Sequence, residues 1–265
     1  MDKADCYKYY QANIELLNVQ ITQVEKIVRT AVGKKEWQVR KSVDAYQIAR
    51  TEKEIKASTR LLTFLICSWL EARLMKILHE NSSVAFSAEE IERIEKLKTM
   101  DEKWKNSFLI AVCKSYGFHY VKNADYTCQF EDGSIEKDNY KKICDFFDDI
   151  EDAITIRNRL AHGQWDVQFN SKKTSVKAYG FLGKYDNIQK LIILKQCYES
   201  IAEIISAYIT YKDKKNPRFN HLIEDKIKLI SDKKVKIMNM DYSKYVSKLE
   251  RKYGSVRKQK AEIYQ

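Results

Sequence analysis

The chain has 265 residues, a length that favours one or two domains. Its Gly 7 and Pro 1 fall far below the roughly 30 that average usage would give, which disfavours sandwiches, barrels and Gly-rich phosphate loops. A net charge of +11 is unevenly spread: residues 212–265 carry 16 Lys/Arg against 7 Asp/Glu, whereas the first 211 residues carry 32 against 30.

A hydrophobic content of 44% is enough for a real core, and 32% charged residues in Lys/Glu-rich stretches point to a helical chain. No apolar run reaches the roughly 18 residues of a membrane span, and the start of the chain lacks signal-peptide order. A protein with no membrane association is expected. The six cysteines are scattered, no two closer than 15 residues, without a CxxC pair. Reduced thiols in a cytoplasmic protein are expected, with no metal and no cofactor.

In chain order, Asp5 to Val32 predicts a long helix. Ile14, Leu17, Ile21, Val24, Val28 and Ala31 form a narrow, heptad-like seam that suits one partner helix. Gly33 followed by Lys34 and Lys35 reads as its stop. A second helix runs from about Asp44 to His79. Its first half is polar, and its second half is apolar on more than one face. Ser87 to Glu90 is a capping box for the next helix, and Trp104 to Tyr116 continues helical up to Gly117. His119 to Gly133 reads as irregular.

From Asp138 a further helix carries Ile143, Phe147, Ile150 and Ile154 on one stripe and ends at Gly163. Val167/Phe169 and Val176/Ala178 alternate around Asn170 to Lys173, which predicts a short β-hairpin. Asp186 to Tyr208 is amphipathic, and after Pro217 the basic segment reads as one or two helices. The expected class is all-α, a helical bundle with a hairpin insertion and an extra basic C-terminal segment. The expected divisions are 1–43, 44–211 and 212–265. The basic segment reads either as an attraction for a polyanion, RNA foremost, or as a solvated helical face.

The chemistry concentrates in Arg157-Asn158-Arg159-Leu160-Ala161-His162-Gly163. Arg157 falls on the apolar stripe, about 20° from Ile150 on the helical wheel. His162 is the last residue before the Gly163 cap, where a helix C-terminus favours the protonated imidazole. Asn158 lies four residues before it, on the same face. Arg157 and His162 project about 140° apart on a regular helix, so two such helices about a two-fold axis would gather the groups into one cleft. A purely structural role is the other reading: Arg157 pairing Asp152 or Glu71, with His162 capping the helix.

This segment resembles the RNxxxH signature of the HEPN superfamily (higher eukaryotes and prokaryotes nucleotide-binding domains). Gly163 and the preceding Phe146-Phe147 are also similar to that family, and Glu71, after Trp69-Leu70, matches an acid on an earlier core helix. The likeness spans residues 44–211, leaving out the first helix and the basic segment. It implies a HEPN-like bundle and a metal-independent endoribonuclease acting on single-stranded RNA as a homodimer with a composite site. It also implies a toxin or antiviral-defence effector with an antitoxin or defence-system partner.

In that role His162 would be the general acid/base and Arg157 the phosphate clamp, with Asn158 orienting the ring or the phosphate. Glu71 would position Arg157, and Arg159, Lys172 and Lys173 would contact the RNA. Some HEPN toxins are silenced through a Tyr two residues after the motif His, where this chain has Gln164. A non-catalytic HEPN-like module and a plain helical RNA-binding adaptor are the rival readings.

Overall fold

A computed structural model describes residues 2–82, 84–148, 168–169, 176–177, 187–211 and 216–263. Among them are eight α-helices: α1 Lys3–Arg40, α2 Ala45–Leu78, α3 Ala88–Glu95, α4 Met100–Tyr116, α5 Ile135–Asp148, α6 Ile188–Thr210, α7 Pro217–Met238 and α8 Tyr242–Ile263. The class is all-α. The only strand pairing among the described residues is antiparallel and two residues long, Gln168 opposite Lys177 and Phe169 opposite Val176. So short a pair does not amount to a sheet, and the expected hairpin insertion gains no support as an element of the fold. Its turn, 170–175, lies outside the described residues.

The helix boundaries follow local chemistry. Asp44 caps α2, its carboxylate accepting from the Tyr46 and Gln47 amides at 3.0 and 3.2 Å. Ser87 and Glu90 form the expected capping box on α3, and Thr99 with Glu102 forms a second one on α4. Gly117 ends α4 in the left-handed region at φ 74°, where a side chain would be strained. Pro217 opens α7, where its missing N–H has no helical partner to lose.

The N-terminal helix departs from its expected end. Gly33 does not stop α1, which continues to Arg40. The reason is packing. A Cβ on Gly33 would stand 2.5 Å from the Leu249 carbonyl oxygen, so this glycine is the point where α8 approaches α1.

The described chain divides into two compact units. The first combines the chain up to Leu16, Cys67 to the end of α5, and Ile193 to Val235. Its core is aromatic. Phe108 of α4 lies 5.9 Å from the Tyr140 ring, 6.0 Å from Phe147 and 5.9 Å from Tyr208, with Trp104 against Tyr198 at 5.1 Å. Leu70, Leu74, Ile77 and Leu78 of α2 are fully buried, as the apolar second half of that helix requires.

The second unit includes Leu17–Ile66, the first residues of α6, and Lys236 onward. Here α1 and α8 run parallel in a fixed register: Arg29 over the Tyr245 ring, Gly33 against Leu249, Trp37 against Tyr253. The step is four residues on each helix, so one turn of α1 meets one turn of α8. Arg40 closes the pair by bonding Glu250 at 2.7 Å. The seam residues Ile21, Val24, Val28 and Ala31 are buried.

Candidate functional site

The motif residues Arg157, Asn158, Arg159, His162 and Gly163, with Lys172 and Lys173, lie outside the described residues. The chain that leads toward them is well anchored. Phe146 and Phe147 at the end of α5 are buried, Phe146 lying 6.0 Å from the Tyr198 ring and Phe147 against Phe108. Large aromatic side chains held on several sides fix the azimuth of α5. Tyr140, on the same helix, donates its buried face to this cluster, and burial drives its hydroxyl well above the usual phenol range.

Glu71 is described, half-buried on α2 between the buried Leu70 and Ala72. Its neighbourhood includes Tyr10 of α1, whose hydroxyl is held above its ordinary value by burial, with Glu95, Cys6 and Glu71 adding to the rise. The Tyr10 ring lies 5.8 Å from that of His79, and His79 Nδ1 is 2.8 Å from the Met75 carbonyl oxygen. Glu71 on α2 and His79 just past its end thus stand beside one phenol. The expected partner of Glu71, Arg157, is outside the described residues.

Two features escaped the sequence reading. Arg60 stands in the half of α2 read as polar, yet it is only 3% exposed. A guanidinium keeps its charge when buried, which marks the position as one that must be compensated. Nothing in the spacing separates it from Lys53 and Lys56; only burial does. The other feature is the basic segment, which is not an appendage. Phe219, Ile223, Ile227 and Ile230 of α7 are buried in the first unit, where Lys226 pairs with Glu203 and Lys233 donates to Gln196 Oε1 at 2.7 Å. The period of the apolar residues on α7 was the available signal.

The cysteines are not in disulfides, and Cys67, Cys113 and Cys197 are buried. Burial pushes the Cys197 thiol up to about 12, so it is held as the unreactive acid. Among the described residues no group of three or more His, Cys, Asp or Glu could hold a metal ion, and no helix is long and apolar enough to cross a membrane.

Against known proteins, the chain matches no family model, no curated protein and no solved structure. The likeness to HEPN domains therefore stands on Arg157 to Gly163 and the sequence around them.

Proposed function

We propose that this chain is an endoribonuclease of the HEPN type that cleaves single-stranded RNA as a homodimer. The observation that carries this reading is Arg157-Asn158-Arg159-Leu160-Ala161-His162-Gly163 within an all-α chain whose last segment is strongly basic. The helical class supports it, and the HEPN-like bundle with an inserted hairpin belongs to the same proposal.

The chemistry needs little beyond these side chains. RNA carries its own nucleophile: the 2′-oxygen attacks the adjacent phosphorus while the bond from phosphorus to the 5′-oxygen breaks. A neutral His162 takes the 2′-hydroxyl proton, and a protonated imidazole gives one to the departing 5′-oxygen. The imidazolium formed when His162 takes the first proton can supply the second, so one His162 serves one site. Arg157 holds the phosphate oxygens as negative charge develops on them. Asn158 orients the ring, and Glu71 holds the guanidinium in position. The products are a 2′,3′-cyclic phosphate and a 5′-hydroxyl. A toxin or defence role, with an antitoxin or defence-system partner and a cytoplasmic location, follows from the same resemblance.

The test is cleavage of single-stranded RNA by the purified full chain in EDTA. Activity should persist in chelator, and His162→Ala should lower it about 10²–10⁴-fold with the fold intact by circular dichroism. Cleavage abolished by EDTA and restored by a divalent ion would overturn the mechanism. A folded wild-type chain that never cleaves RNA would favour the non-catalytic adaptor.

A further inference from the structure

We propose that the groove between α1 and α8 is a binding site for single-stranded RNA, separate from the motif and outside the stretch that resembles HEPN domains. The inference rests on the reading of this chain as a protein that acts on RNA. The groove encloses about 580 Å³, and its charged lining is Lys26 and Arg29 on α1 and Lys248, Lys252 and Arg257 on α8. Among the described residues no carboxylate lines it. Two of the cations are engaged: Arg29 bonds Glu25 and lies 5.7 Å from the Tyr245 ring centroid, and Arg257 lies 4.2 Å from that of Trp37. Lys26, Lys248 and Lys252 are exposed, and none has a carboxylate partner among the described residues.

This spacing makes a cationic row over an aromatic and aliphatic floor. Lys248 and Lys252 are one turn apart on α8, and Lys26 and Arg29 are one turn apart on the facing helix. Between them the floor is Tyr245, Leu249, Tyr253 and the exposed Val256. Unneutralised lysines suit phosphates, and aromatic and aliphatic faces suit unpaired bases. The Tyr245 hydroxyl is withdrawn from solvent and has no hydrogen-bond partner, a cost that singles out this end of the groove.

Charge and the aromatic floor choose the occupant. An acidic helix of a partner protein would match the sign of the lining but offers no planar bases to Tyr245 and Tyr253. A phosphodiester strand with bases turned inward matches both the cations and the floor.

The experiment uses the full chain carrying His162→Ala, so that RNA is not consumed, and a fluorescein-labelled 12-nucleotide oligouridylate followed by anisotropy. Lys248→Gln with Lys252→Gln should weaken the Kd at least 10-fold at 100 mM salt and reduce the salt slope by about 1.4, the share of two phosphate contacts on a single strand. Lys228→Gln with Lys236→Gln removes equal charge from exposed positions on α7 and should leave the Kd within about 2-fold. Equal losses from both pairs, or no loss from the α8 pair, would overturn the groove as a site. So would groove-dependent binding of a Glu-rich helical peptide without binding of the oligouridylate. If the wild type fails to cleave RNA but the α8 pair still governs binding, the groove stands and the nuclease reading falls.

Discussion

Gly33 and Leu249 meet backbone to backbone: a Cβ at residue 33 would lie 2.5 Å from the Leu249 carbonyl oxygen and 2.8 Å from its carbonyl carbon. Gly254, on the same helix pair, is different, because a Cβ there would rest 3.5 Å from Trp37 Cδ1 in ordinary contact. Two mid-helix glycines therefore have opposite consequences. Gly33→Ala must push α8 away, which costs about 1–3 kcal/mol, more than the roughly 1 kcal/mol gained in helix propensity. Gly254→Ala meets no obstacle and should gain about 0.5–1 kcal/mol. Thermal unfolding should show the midpoint of the first variant falling by a few degrees while the second holds or rises. A stabilised Gly33→Ala chain would show that the close approach carries no constraint.

The same contact explains what was legible in the sequence. Local signals were read directly: the Ser87–Glu90 capping box, the Gly117 stop and the apolar second half of α2 all depend on neighbours a few residues away. Gly33 misled because a helix-ending glycine and a helix-crossing glycine look alike in one dimension. What distinguishes them is Leu249, more than two hundred residues later. The burial of Arg60 and the anchoring of α7 were hidden for the same reason. At the motif the position is reversed, since Arg157 to Gly163 stood out by residue type while the described geometry supplies Glu71 and its surroundings.

The buried face of α7 changes how the basic segment must be tested. Deleting residues 219–265 would strip Phe219, Ile223, Ile227 and Ile230 from the first unit, and would leave the α1 seam without α8. Each buried aromatic or aliphatic side chain is worth about 1.5–3 kcal/mol. The truncated chain should thus unfold or aggregate rather than simply bind RNA less well. Circular dichroism and gel filtration decide it: a truncated chain that stays folded with an unchanged Tm would show that α7 and α8 are dispensable.

Several buried acids lower stability at alkaline pH, Cys197 and Tyr116 among them with Tyr126, Tyr140 and Tyr208. Burial raises the Cys197 thiol to about 12 and the Tyr116 hydroxyl to about 12, with Glu136 adding to the latter. Both are raised above their unfolded values, so the folded state retains protons that the unfolded chain gives up. Their contribution is full below about pH 9 for the thiol and about pH 10 for the phenol, and is lost as pH rises toward 12. The unfolding midpoint should fall steadily from pH 9 upward. Cys197→Ala should flatten the slope between pH 9 and 10 whatever its offset. An identical slope in the variant would remove Cys197 from the account.

Arg157 and His162 supply the last expectation of the proposed function, because on a regular helix they would diverge by about 140° and one chain would not bring both to a single phosphate. A two-fold axis beside the motif would place an Arg157 from one protomer with a His162 from the other. Such a cleft gathers like charges, which a polyanionic substrate or a nearby carboxylate offsets. Arg157→Ala and His162→Ala homodimers should each be inactive, since either substitution empties both sites of one group. Mixed in equal amounts and allowed to exchange, half the dimers are hybrids, and each hybrid keeps one of its two sites whole. The mixture should therefore recover about a quarter of wild-type cleavage, a fraction set by the two-fold symmetry alone. A mixture no more active than the two variants measured separately, or a monomer by ultracentrifugation that cleaves at the full rate, would refute the shared site. The groups would then have to converge within one chain, through a distorted turn before Gly163.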